Sequence, residues 1–252
     1  MYSRNFTELI KRAYRREGAR YVVGNGIRFV LNSISSNLSY WYHKCFFRDR
    51  TFEFRGKEYK YYFHPRGKTW MTERSVEIPL VWELVQEYRQ LNKKILEVGN
   101  VLSYRFETNH DILDKYEMVP GVINEDVISF VPDHKYDLIV SISTMEHVGW
   151  DEIPTDPHKL LEGLNNLKNM LSPTGKLLVT LPLGQNAYLD DLLRKNVKIF
   201  DEQFYLLKKS DLNWKEEVWD NLLNITYNEK IPAANAILVG ISMKSGGTGT
   251  SV

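Results

Sequence analysis

A single cysteine, Cys45, in 252 residues rules out an internal disulfide, and no Cys/His group stands at zinc spacing. Both absences fit a reducing, cytoplasmic setting and a fold without a structural metal. Long apolar runs are missing too. The apolar-periodic segment Ile27, Val30, Leu31, Ile34 and Leu38 is interrupted by Arg28 and several Asn and Ser residues. It falls short of the about 18 uninterrupted residues of a membrane span, and its late start without a small-residue cleavage site does not read as a secretory signal. No internal repeat is visible. Nor does one sign of charge dominate, since 33 Lys/Arg face 32 Asp/Glu for a net +1.

That near-neutral total is unevenly distributed. Residues 1–50 carry ten Lys/Arg against three Asp/Glu, net +7, which leaves the other 202 residues at −6. Asn5 and Glu8 have the spacing of a capping box. Phe6, Leu9, Ile10, Ala13 and Tyr14 share one helical face, Lys11, Arg12, Arg15 and Arg16 lie elsewhere, and Gly18 ends the pattern. A basic amphipathic helix of this kind either contacts an anionic surface, so that residues 1–40 would meet an anionic membrane, or caps the rest of the chain. An aromatic stretch follows, in which Thr51–Phe54 and Glu58–Phe63 alternate on either side of Arg55-Gly56-Lys57. This predicts a β-hairpin packed beside a site entrance, its aromatics serving mainly as core.

Beyond residue 71 strands alternate with helices. Lys94-Ile95-Leu96-Glu97-Val98-Gly99-Asn100 is an apolar strand ending in an acid and a glycine. Further strands are expected at His110–Asp114, Val122-Ile123, Tyr136–Ser143, Lys176–Leu181, Phe204–Leu207 and Asn235–Ser242. One helix opens near Pro79. Another starts at Asp156-Pro157, with Leu160, Leu161, Leu164, Leu167, Met170 and Leu171 as its stripe, and ends at Ser172–Gly175. Such alternation gives an α/β fold, a mostly parallel sheet with helices on both faces. With 43% hydrophobic residues the length suits one sizeable core. The chain divides into a helical and hairpin extension (1–71), a main domain (72–243) and a flexible Gly/Ser/Thr tail (244–252).

Glu97-Val98-Gly99, the strand entering Ser143-Thr144-Met145-Glu146-His147, and the strand Lys176–Leu181 together resemble the first, fourth and fifth strands of the class I S-adenosylmethionine-dependent methyltransferases, over about Thr72 to Ser242. The resemblance implies a Rossmann-like seven-stranded sheet and S-adenosylmethionine as cofactor, held without metal. By the same resemblance Glu97, Gly99 and Asn100 would meet the amino-acid end, Asp114 the ribose diol, and Asp126 with the Val127 backbone the adenine, with Ser143 after the fourth strand. Glu117 is a weaker candidate for the ribose. Glu146 and His147 would lie next to the methyl and the acceptor, His147 taking the acceptor's proton, since imidazole titrates near neutral pH. Thr72-Glu73-Arg74 would fold over the methionine end, or Arg74 would pair with Glu77. Tyr61, Tyr62, His64 and Trp70 are candidate lid or substrate residues.

The chain departs from the family at Val101 and Ser103, which fill later glycine positions of the loop. This excludes a Gly-x-Gly-x-x-Gly fingerprint and weighs against a nicotinamide enzyme. The 17 residues from Glu97 to Asp114 imply a short helix between them. The expected activity is methyl transfer to a small molecule or glycan, in the manner of prokaryotic methyltransferases of surface-polysaccharide assembly. The alternatives are a decayed, non-catalytic interaction module and an RNA methyltransferase. Against nucleic acid stand the acidic body and the lack of an Asn/Asp/Ser-Pro-Pro-aromatic tetrad at Ser143–Glu146. Oligomeric state is not encoded legibly.

Overall fold

The computed structural model describes residues 35, 37–228 and 232–244. The chain forms two compact units, Met1–Arg48 and Asp49–Val252. In the first, residues 37–46 are helical. The expected basic helix over residues 5–16, most of the apolar segment after it and the tail from 245 lie outside the described residues. The 71/72 boundary drawn from sequence falls inside the second unit, which includes the hairpin.

That unit is built on strands β1 (Thr51–Phe54), β2 (Lys57–Lys60), β3 (Ile95–Val98), β4 (Asp111–Leu113), β5 (Val122–Ile123), β6 (Tyr136–Ile142), β7 (Leu171–Pro182), β8 (Glu202–Ser210), β9 (Asn213–Glu217) and β10 (Ala236–Met243), with helices α1 (Arg74–Gln90), α2 (Lys159–Met170) and α3 (Ala187–Arg194). Eight strands form the main sheet in the order β5-β4-β3-β6-β7-β10-β8-β9. The first five are parallel to one another, while the pairs β7-β10, β10-β8 and β8-β9 are antiparallel. The sheet has one strand more than the seven expected. The extra strand, β9, is a short polar segment whose pattern, Asn-Trp-Lys-Glu-Glu, shows a single buried apolar position, Trp214.

Burial explains the strand types. All four residues of β3 are buried, as a parallel strand covered on both faces requires. Leu160, Leu164, Leu167 and Met170 of α2 are buried, on the helical spacing that buries one stripe. Two boundaries differ from the sequence expectation. Helix α1 starts five residues before Pro79 and carries it in its interior. Proline has no N–H for the Ser75 carbonyl, one turn earlier, and the Tyr62 N–H donates to that carbonyl instead at 2.8 Å. Strand β7 begins directly after α2, its Ser172–Gly175 portion forming an irregularity opposite Tyr136 and Leu138. Helix α3 opens on Asn186, whose side chain accepts from the Leu189 N–H at 3.0 Å.

The hairpin turns through Arg55 and Gly56 at φ 53° and 72°, the left-handed pair that a two-residue hairpin favours. It does not stand beside the site entrance. Phe54 meets Phe204 of β8 edge-on at 5.5 Å, Arg55 pairs with Glu202 at 2.8 Å, and the Trp214 N–H of β9 donates to the Tyr61 hydroxyl at 2.8 Å. It covers the antiparallel end of the sheet, where Phe52 and Phe54 are buried.

Candidate active site

Parallel strands present their carboxyl ends at one edge, and a crevice forms there where the strand order reverses. Here the reversal lies between β3 and β6. A cleft of about 530 Å³ opens at that edge, lined by Val98, Gly99, Asp114, Asp126, Val127, Thr144 and His147 among others. This volume lies within the roughly 300–1,000 Å³ of small-molecule sites.

Gly99 sits at φ 82°, and a Cβ there would fall 2.2 Å from the Thr144 hydroxyl oxygen. Both backbone conformation and space demand glycine. Asp114, just past β4, accepts from the Tyr116 and Glu117 N–H groups at 2.9 and 3.0 Å through one oxygen, and its carboxylate is part of the cleft wall. Glu117 lines the same wall. Asp126, after β5, accepts from the Ile128 N–H at 3.0 Å and pairs with Lys115 at 2.8 Å. Lys115 also reaches Glu152 at 2.7 Å, and Glu152 pairs with Lys159 at 2.5 Å. These contacts, Lys115 first, hold the Glu152 carboxyl down at about 2, and raise Lys115 above its usual range, Asp126 first.

Glu97 lies outside the cleft lining. It is fully buried. One of its oxygens accepts from the Val101 and Leu102 N–H groups, both at 2.8 Å, and the other lies 3.0 Å from His110 Nε2. The short helix expected after Gly99 is absent. A single turn stands in its place, closed by the Arg105 and Phe106 N–H groups on the Leu102 carbonyl. The N–H groups that a helix would aim at a ligand are held by Glu97. Asn100 also bonds locally, accepting from the Ser103 hydroxyl, the side-chain competition that disfavours a helix start.

Past β6 the chain divides its side chains between two directions. Ser143, at φ 40°, donates to Glu77 Oε1 at 2.5 Å and so turns toward α1. Arg74 bridges there, to Glu77 at 3.0 Å and to the Ile142 carbonyl at 3.1 Å. Glu146 is 1% exposed, and both its carboxyl oxygens lack a hydrogen-bond partner. Burial pushes this carboxyl well above its ordinary range, with Glu77 and Glu73 adding repulsion and Arg74 opposing it. Glu73 is raised for the same reasons, burial first and then Glu77, and accepts from the Ala234 N–H at 2.8 Å.

His147 faces the other way. Its side chain is 44% exposed on the cleft, with Nδ1 2.6 Å from Asp151 Oδ2 and Nε2 3.6 Å from Glu146 Oε1. A carboxylate only accepts, so Nδ1 carries the proton of the neutral ring and Nε2 is the bare nitrogen.

The structure thus brings Gly99, Asp114, Asp126, Val127 and His147 to one cleft, and leaves Glu97, Asn100, Ser143 and Glu146 out of its lining. Tyr61, Tyr62, His64 and Trp70 do not line it. Sequence reading missed Thr144, Lys115, Asp151 and Glu152. Only Asp151 left a signal, four residues after His147.

No family model matches the sequence, and no curated protein matches it. Solved structures with a similar fold include the N-methyltransferase NodS of Bradyrhizobium japonicum with S-adenosyl-L-homocysteine, 11% identical over 70% of this chain and 94% of that one, at a TM-score of 0.38. A possible histamine N-methyltransferase of Thermotoga maritima is 17% identical over 69% of this chain and 97% of that one, TM-score 0.37. The sugar N-methyltransferase KedS8 of Streptoalloteichus is 12% identical over 53% and 55%, TM-score 0.34.

Proposed function

We propose that the chain is an S-adenosylmethionine-dependent methyltransferase acting on a small molecule or glycan. The observation that carries this reading is the cleft at the strand-order reversal, with Gly99 permitting close backbone approach and Asp114 and Asp126 in its walls. These residues suit the cofactor: a carboxylate after β4 for vicinal hydroxyls, another after β5 with the buried Val127 for a flat amine-bearing ring. A nicotinamide cofactor fits worse, because the Val101 and Leu102 N–H groups that would receive a pyrophosphate are held by Glu97.

The bound cofactor supplies a methyl group on a sulfonium. The protein's part is to hold the acceptor in line and to take its proton. His147 Nε2 suits the second task, because the Asp151 carboxylate beside Nδ1 favours the tautomer that leaves it bare. Once Nε2 is protonated, the Asp151 carboxylate at 2.6 Å from Nδ1 is the counter-charge for the imidazolium. The unit Asp49–Val252 is net acidic, which disfavours a nucleic-acid track and supports a small acceptor. A place in surface-polysaccharide assembly agrees with a small-molecule or glycan acceptor.

Calorimetry with S-adenosylhomocysteine tests the reading. Saturable binding insensitive to a chelator is expected, and Asp114→Ala should weaken it by roughly 1–3 kcal/mol, the cost of an unmet buried hydrogen bond. His147→Ala should keep that affinity while slowing transfer to a hydroxyl acceptor by about two to four orders of magnitude. Absence of binding would favour the non-catalytic module, the alternative that the altered loop after β3 supports.

A further inference from the structure

The helix of residues 37–46 wears its apolar side outward. Leu38, Trp41, Tyr42 and Phe46 are each more than half exposed, and Cys45 is exposed beside them. At 100° per residue these five positions share one face. The half-buried positions are Ser39, Tyr40, His43, Lys44 and Phe47, three of them polar. Folding of a solvated helix would put the two faces the other way round. Lys44 Nζ lies 4.7 Å from the Trp41 ring centre, so a cation accompanies the aromatic face.

Charge selects what covers this face. The unit Met1–Arg48 has nine Lys/Arg against two Asp/Glu, net +7. A second copy docked face to face would bring two such units together against their own repulsion. A partner with an apolar interior and a negative surface satisfies both features. Trp and Tyr favour the interface between lipid headgroups and acyl chains, and basic amphipathic helices gain there from charge and apolar area together. No helix among the described residues is long and apolar enough to cross a membrane. We propose that residues 37–46 lie in the interface of an anionic lipid surface, with Leu38, Trp41, Tyr42 and Phe46 inserted and the unit's cations on the headgroups.

The test uses the full-length chain with vesicles of phosphatidylcholine alone and of phosphatidylcholine and phosphatidylglycerol in equal parts. Co-sedimentation with the anionic vesicles, weakened by high potassium chloride and absent with the neutral ones, is expected. The double variant Trp41→Ser, Phe46→Ser should bind about tenfold or more weakly with an unchanged circular dichroism melt. An environment-sensitive dye on Cys45, the sole cysteine, gives a reading independent of that variant's folding, since its emission should shift to the blue with anionic vesicles only. Three results would overturn the proposal. The protein stays in the supernatant with anionic vesicles and the dye does not respond, or it binds both vesicle types equally, or light scattering shows a dimer that the double variant converts to monomer.

Discussion

Glu146 is a carboxyl without a partner in a place where water cannot reach it. Its raised folded-state affinity for protons ties stability to pH with a definite sign. Stability contributed by the neutral acid is fully present below the ordinary carboxyl value of about 4.5 and is lost as pH rises through the raised value. Glu146→Gln keeps the shape and removes the ionisation. The variant should therefore melt at a higher temperature than the wild type at alkaline pH, with the difference closing toward pH 4.5. Equal melting curves across that range would mean the side chain ionises in water, and the buried placement would be wrong. Glu152 behaves oppositely. Held at about 2 by Lys115 and Lys159, it supports the fold above the ordinary carboxyl value and ceases to do so as pH falls through about 2.

At the scale of elements, the turn after β3 depends on one side chain. Glu97 satisfies two backbone donors and faces the buried His110 ring. Glu97→Ala should destabilise the protein by roughly 1–3 kcal/mol, the cost of leaving buried backbone donors unmet, measured by denaturant unfolding. A variant that stays fully stable but loses the cofactor would instead give Glu97 the ligand-binding role implied by the family resemblance. That role was legible only as residue type and position, because Glu97 stands where an acid is expected and the spacing cannot show which way a carboxylate points. The elements themselves were more readable. The parallel strands β3, β5 and β6 and the helix α2 follow from continuous apolar runs and a heptad-like stripe. Pro79 inside α1 and β9 were not, since the first relies on a donor 17 residues away, Ser75 being bonded by Tyr62 rather than within the helix, and the second on pairing to β8.

Across the whole molecule the legible property was the segregation of charge. It separates the same two regions that the contacts separate, with the step falling near residue 48. The attachment of the hairpin to β8 and β9 was illegible because both partners are distant in sequence and joined by single aromatic and backbone contacts. Asp114 and Asp126 were legible because in a parallel sheet the residue after each strand falls on the ligand edge whatever its loop does. Thr144 and Lys115 owe their positions to the packing of loops, which leaves no periodicity to read.

The turn that replaces a helix after β3 has a consequence for turnover. A helix amino terminus there would carry about half a positive charge toward the cleft; none is present, and the walls hold six carboxylates against one lysine. Such walls discriminate by valence. On the proposed function, a sulfonium is attracted and the neutral thioether left after transfer is not, so the spent cofactor should bind more weakly than the fresh one. Product inhibition should therefore be weak. The ratio of the two dissociation constants should favour S-adenosylmethionine, and should move toward unity when the carboxylates of the wall are neutralised by Asp126→Asn and Glu125→Gln, whereas a ratio that ignores these changes would show that charge does not set it.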